Sequence, residues 1–70
     1  MEDFDIFAGR LEQEPMWLET AHSLNDASQR MKERARIKPG PYFVFCCQRN
    51  EVMESIDTSE AASDPAPHAA

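Results

Sequence analysis

Residues Tyr42 to Cys47 read YFVFCC, and this stretch decides the fold. It is the most hydrophobic run in the chain. Alternate side chains of a strand point to opposite sides, and here both sets are apolar: Tyr42, Val44 and Cys46 on one side, Phe43, Phe45 and Cys47 on the other. Apolar side chains on both faces are typical of a central strand. The run therefore predicts a strand in the middle of a sheet.

The segment before this strand predicts a helix followed by a rigid turn. Ser23 is a good N-cap, and Asp26 three residues later completes the Ser/Thr-x-x-Asp/Glu pattern of a capping box. Lys38 precedes a proline, which disfavours helical geometry. We therefore expect the helix to end near Arg36 and KPGP (38–41) to form the turn. An apolar stripe recurs at spacings of three and four: Leu24, Ala27, Met31 and Ala35.

Three further strands are predicted from period-two alternation and turn residues. Asp3 to Ala8 (DFDIFA) and Met16 to Ala21 (MWLETA) flank a polar loop and predict a hairpin. After the central strand, QRNE (48–51) predicts a turn and Val52 to Asp57 a weaker strand. In the second run, strict alternation places Met16, Leu18 and Thr20 on one face and Trp17, Glu19 and Ala21 on the other.

The predicted order is β-β-α-β-β. A right-handed crossover through the helix can place the first strand between the second and third. The sequence therefore predicts an α+β fold, a two-layer sandwich with a four-stranded antiparallel sheet in order 2-1-3-4 and one helix on one face. We expect residues 1–57 to form a single small domain. The stretch TSEAASDPAPHAA (58–70) lacks aromatic and branched aliphatic residues, so it predicts a disordered C-terminal tail.

Charge and hydropathy exclude several classes of protein. The chain has 70 residues, with seven basic and thirteen acidic side chains, for a net charge of −6. This balance disfavours a general binder of nucleic acid or of an anionic membrane. No apolar run approaches the roughly 20 residues that span a bilayer, and the acidic opening MEDFDIF is unlike a signal peptide. We therefore expect a cytoplasmic protein with no membrane partner.

The two cysteines are also consistent with the reducing cytoplasm. Cys46 and Cys47 are adjacent, so on a strand they point to opposite sides and cannot readily bridge each other. Their simplest interpretation is as small apolar strand residues, with a redox pair or an intermolecular disulfide as the alternative. The spacing of zinc ligand pairs is absent. We expect no metal and no cofactor.

The sheet face that the single helix leaves uncovered is the first candidate site. If the helix packs on the side of Phe4, Ile6 and Leu18, an aromatic patch lies on the other side. It would contain Phe7, Trp17, Phe43 and Phe45. One reading is that loops or the tail cover these residues. The others are self-association, a protein partner or, less favoured, a small-molecule cleft.

Basic residues clustered in and just after the predicted helix form the second candidate site. They are Arg30, Lys32, Arg34, Arg36 and Lys38. At about 100° per residue they straddle both flanks of the apolar stripe instead of forming one face. A solvated helix surface explains them, with an Asp26–Arg30 pair at i,i+4. Binding of nucleic acid or an acidic ligand is the alternative.

An enzyme is the third and least favoured interpretation. Glu12, Glu14 and Glu19 are possible acid–base carboxylates, but no sequence feature marks a pocket that would tune them. His22 directly precedes the N-cap, where a packing or solvent role is commoner than catalysis. A glycine-rich phosphate loop is absent, since the chain has two isolated glycines. We expect no catalytic residues.

A longer pattern, W-x-x-T-A…L-x-x-A…P-G-x-Y-x-V-F, runs from Trp17 to Phe45. It resembles a type of short bacterial single-domain protein of uncharacterised function, with a strand leading into a capped helix and then a hydrophobic strand. The resemblance spans roughly residues 4 to 57. It implies the β-β-α-β-β fold and no activity, so it assigns no functional residue. The paired cysteines stand where that pattern would have a polar residue.

Overall fold

The fold is one four-stranded antiparallel sheet with one helix on one face, as the sequence predicts. The computed structural model describes residues 2–58. Residues 59–70, nearly all of the predicted disordered tail, lie outside the described residues. The elements in chain order are β1 (Phe4–Ala8), β2 (Met16–Ala21), α1 (Leu24–Ile37), β3 (Pro41–Cys46) and β4 (Glu51–Asp57).

The sheet order is β2-β1-β3-β4, which confirms the predicted 2-1-3-4 arrangement. Each hairpin pairs its own strands, and the two hairpins join through their first members. Phe4 at the start of β1 is therefore opposite both Ala21 of β2 and Cys46 of β3. β1 and β3 occupy the centre, in agreement with the apolar character of YFVFCC.

The core lies between α1 and the two central strands. Ala27, Met31 and Ala35 of the predicted stripe are buried, and two of the three are alanines that let the helix lie close to the sheet. Met31 is fully buried between them, where its unbranched side chain fills the space that the alanines leave. The sheet residues buried in the same cluster are Phe4, Ile6, Ala21, Tyr42, Val44 and Cys46.

Side-chain and backbone hydrogen bonds define both ends of α1. The hydroxyl of Ser23 accepts from the backbone N–H of Asp26 at 3.0 Å, the N-cap contact that the sequence predicts. The Asp26 carboxylate accepts from Arg30 Nε at 3.0 Å, which confirms the expected i,i+4 pair. At the other end, the Tyr42 hydroxyl donates to the Lys38 carbonyl at 2.6 Å. The helix ends at Ile37, one residue later than predicted.

A β-bulge in β2 corrects the predicted alternation of that strand. The register shifts opposite Ile6 and Phe7, so that Trp17 is opposite Phe7 but Glu19 is opposite Ile6. The extra residue, Leu18, packs against the core. The prediction that Trp17, Glu19 and Ala21 share one face is therefore wrong. A bulge adds one residue on one strand and reverses the alternation beyond it.

The last described residue continues the edge of the sheet. The backbone N–H of Thr58 donates to the Gly40 carbonyl at 3.1 Å. The N–H of Gly40 donates to the Thr58 hydroxyl at 3.1 Å. These bonds fasten the end of β4 to the turn before β3. Within residues 2–58, no helix is long and apolar enough to cross a membrane.

Candidate functional site

The sheet face opposite α1, here called the open face, carries all four aromatic residues predicted as an interaction site. Trp17, Phe7 and Phe43 are direct neighbours across β2, β1 and β3, and Ser55 of β4 completes this row. The next row of the open face contains Thr20, Asp5, Phe45 and Val52. The pairing thus brings the predicted patch together on one side of the sheet.

The four aromatic residues differ in exposure. The rings of Phe7 and Phe43 stack with their centroids 5.0 Å apart and their planes 7° from parallel. Phe43 is only 4% exposed, whereas Phe7 and Phe45 are half-buried. Trp17 is 56% exposed. The open face therefore has a packed aromatic centre and a prominent indole at its β2 edge.

Asp5 organises the polar contacts of the open face, although it is not among the site residues predicted from the sequence. Its Oδ1 accepts from the Thr20 hydroxyl at 2.6 Å and from Trp17 Nε1 at 3.4 Å. Its Oδ2 accepts from Cys47 Sγ at 3.3 Å. The available signal was the alternation of DFDIFA, which puts Asp5 on the same side as Phe7. Asp5 thus accepts the hydrogen bond of Nε1, which is the only polar atom of the indole.

The two cysteines occupy different environments, and neither is in a disulfide. Cys46 is buried in the core, while Cys47 is exposed in the turn after β3. The hydrogen bond to Asp5 is the main reason that the pKa of the Cys47 thiol is raised, with slight desolvation and the negative charge of Asp5 adding to it. A raised pKa leaves less thiolate and makes this thiol a poorer nucleophile.

A cleft opens at the β4 side of the open face, beneath the loop that joins β1 to β2. The loop turns at Gly9, whose φ of 109° is a conformation that glycine adopts without strain. An ion pair between Arg10 and Asp57 attaches the loop to β4. The cleft has a volume of about 350 Å³. This is at the small end of ligand pockets. Its lining includes Leu11, Phe43, Val52 and Ser55.

The basic cluster of the helix is largely paired with carboxylates. Arg30 and Arg34 both bind Glu19 of β2, each at 2.8 Å. Arg36 pairs with Glu33 one turn earlier, and Lys32 Nζ lies 3.9 Å from Glu54 of β4. Lys38 follows the helix as its C-cap. These ion pairs support the interpretation of the cluster as a charged helix surface.

Glu19 is held ionised by its two arginines. The hydrogen bond from Arg34 is the largest cause of its lowered pKa; partial burial opposes the shift, and Arg30 adds to it. A carboxyl whose pKa is lower in the folded chain stabilises the fold above the unfolded value, about 4.3. That contribution is lost as the pH falls through the folded value.

We expect Glu19→Gln to reduce the free energy of unfolding by about 1 kcal/mol at pH 7, because it removes the charge that joins β2 to α1. Glu33→Gln is the matched control, since Glu33 pairs only within the exposed surface of α1; its cost should stay below about 0.5 kcal/mol. Urea titrations at pH 7 and pH 3 measure both. The difference between wild type and Glu19→Gln should shrink at pH 3, and a difference that grows there would contradict the assignment.

The residues considered for catalysis are not brought together. His22 Nδ1 lies 3.1 Å from Asp3 Oδ1 on the exposed surface, and Glu19 is engaged by arginines. Glu12 and Glu14 are exposed in the β1–β2 loop. Among the described residues, no group of three or more His, Cys, Asp or Glu side chains is placed to hold a metal ion.

Comparisons with known proteins give no assignment: no family model, no curated protein and no solved structure matches this chain. The resemblance to short bacterial proteins therefore rests on the sequence pattern alone.

Proposed function

We propose that this chain is a small protein-interaction or assembly module whose contact surface is the open face. The observation that carries the proposal is the exposure of the Trp17 side chain. Its ring is more than half exposed beside the Phe7–Phe43 stack, and its N–H already has an acceptor in Asp5. A buried tryptophan N–H needs such an acceptor, so the indole can be covered by a partner without losing a hydrogen bond.

Energetic considerations favour a protein partner. Tryptophan is enriched among the residues that contribute most to protein–protein binding. The row from Trp17 to Ser55 has no charged side chain. Charged groups of the open face are Asp5 in the next row, which is hydrogen-bonded to Thr20 and Trp17, and the Arg10–Asp57 pair at the end of the strands. An uncharged row with polar groups beside it resembles the usual anatomy of an interface.

Nucleic acid is not part of the proposal, because most of the basic side chains that would bind phosphate are already paired with carboxylates. We also propose a cytoplasmic location, which suits a protein with two free thiols.

Affinity capture with face-specific variants tests the proposal. The bait is the immobilised full chain, offered a native lysate and, separately, a differently tagged copy of itself. Trp17→Asp places a charge on the open face. Met16→Asp is the control, because Met16 is on the same strand and 66% exposed but faces the helix side, opposite Ala8.

We expect polypeptides that bind wild type and Met16→Asp to be lost from Trp17→Asp by at least about tenfold, since a charge in a desolvated apolar contact is costly. If nothing binds wild type, or if Trp17→Asp retains the same polypeptides in the same amounts, the open face is not the contact surface.

A further inference from the structure

The cleft beneath the β1–β2 loop is bounded by three separate parts of the chain. Loop residues 9–12 contribute one part of its lining, and Val52, Ser55 and Asp57 of β4 contribute another. Phe43 of β3 lies between them at the bottom. A depression with walls from a loop and a strand can surround a small molecule, which a flat sheet face cannot do.

The loop over the cleft is held in place by the protein itself. The backbone N–H of Gly9 donates to the Pro41 carbonyl at 2.8 Å, and the N–H of Gln13 donates to the Arg10 carbonyl at 2.9 Å, which closes a turn within the loop. The ion pair from Arg10 to Asp57 then joins this turn to β4. Because these contacts form the cleft in advance, a ligand would pay little to order it.

Two exposed apolar side chains give the cleft its apolar surface. Leu11 of the loop and Val52 of β4 are both exposed large hydrophobic residues, and both line the cleft. A molecule with an apolar body would remove part of both side chains from water, which stabilises the complex in proportion to the apolar area buried. The lining therefore favours a ligand with an apolar ring or chain.

The charges of the lining favour a cation. Arg10 is the one basic residue of the lining, and its charge is matched by Asp57. Glu12 is a second carboxylate of the lining, and within residues 2–58 it has no ion pair. Asp5 adds a further negative charge to the open face, and the whole chain has a net charge of −6. Such a field attracts positively charged molecules and repels anions.

The volume of the cleft limits the size of the ligand. A water molecule occupies about 30 Å³ of liquid, so about 350 Å³ corresponds to roughly twelve waters, or a ligand of about ten non-hydrogen atoms. One ring with a short aminoalkyl chain has this size. A nucleotide is too large and carries the opposite charge.

We propose that the cleft binds a small organic cation, in which one apolar ring contacts Leu11 and Val52 and a protonated amine pairs with Glu12. The Ser55 hydroxyl in the same lining offers the amine a further hydrogen-bond acceptor. This site goes beyond the proposed protein contact, because Trp17 is not among the residues that line the cleft.

Titration of 2-phenylethylamine into the ¹⁵N-labelled full chain, followed by NMR, is the first test. We expect saturable shifts at the backbone N–H groups of residues 9–12, Val52 and Ser55, with a Kd of about 1 mM or tighter. 2-Phenylethanol and 3-phenylpropionate carry a similar apolar body without the positive charge. The alcohol should bind about threefold more weakly or worse, and the acid more weakly still.

Variants of the loop locate the two parts of the ligand. Glu12→Gln should weaken the binding of 2-phenylethylamine about threefold or more and leave that of 2-phenylethanol unchanged. Glu14→Gln is the matched control, because Glu14 is exposed in the same loop but does not line the cleft; it should change neither. Leu11→Ala should weaken both ligands about twofold or more. Leu11 is exposed, so this variant should keep its fold, which circular dichroism checks.

Four results would overturn the site. They are the absence of saturable shifts at the cleft up to about 10 mM amine, shifts centred on other residues, tighter binding of 3-phenylpropionate than of the amine, and equal effects of Glu12→Gln and Glu14→Gln. None of them bears on the capture experiment, which depends on Trp17 and not on the cleft.

Discussion

Met31→Ala is expected to remove most of the stability of the domain. Met31 is fully buried at the centre of α1, between two buried alanines that cannot move in to fill the space. Truncating a buried methionine to alanine costs about 2–5 kcal/mol. A domain of 57 described residues has a total stability of about 3–9 kcal/mol. We therefore expect the urea concentration at the midpoint of unfolding to fall by roughly half or more.

Ile37→Ala is the matched control for Met31→Ala. Ile37 is an apolar residue of the same helix but is 75% exposed, so its truncation should change the free energy of unfolding by less than about 0.5 kcal/mol. Urea unfolding followed by circular dichroism measures both variants, at low protein concentration so that association does not add stability. Equal effects of the two substitutions would contradict the placement of the core.

Phe43→Ala is expected to cost about 3 kcal/mol, although Phe43 lies on the open face. The ring is 4% exposed because it stacks on Phe7 and lies beneath the β1–β2 loop, where it forms the floor of the cleft. Its removal leaves a void on a central strand. Phe43 thus supports the open face from below, and Trp17 is the residue that a partner would meet.

Trp17→Ala distinguishes the contact role proposed for Trp17 from the structural role of Phe43. Since Trp17 is more than half exposed, its truncation should cost less than half as much stability as Phe43→Ala. Urea unfolding of both variants gives the comparison. If Trp17→Ala were the more destabilising of the two, the indole would be part of the fold and not a free contact surface.

The sequence predicted the elements and their order because the signals for them are local. Ser23 with the stripe of Ala27 and Met31 defines a helix within 14 residues, and YFVFCC is apolar at consecutive positions. The boundaries differ by about one residue, as at Ile37. Phe7, Phe43 and Phe45 lie on the predicted face because the pairing of β1 with β3 has no register shift, so that simple alternation gives the side of the sheet on which each residue lies.

The remaining features depend on contacts between distant parts of the chain. The bulge at Leu18 shifts the register of β2 against β1 and leaves no mark in the alternation of MWLETA. The ion pair between Arg10 and Asp57 joins residues 47 positions apart, and both residues line the cleft. The burial of Phe43 follows from that loop. No local pattern encodes which side of the sheet a loop covers.

The sheet order has a consequence for a chain cut in two. The central strands β1 and β3 come from opposite sides of the turn at residues 38–40, and their pairing joins the two halves. Each piece on its own would expose the edge of a five- or six-residue strand that the other piece covers, together with half of a hydrophobic core. Such edges are templates for aggregation. Present together, the two pieces should instead stay paired through β1 and β3 after the turn is cut.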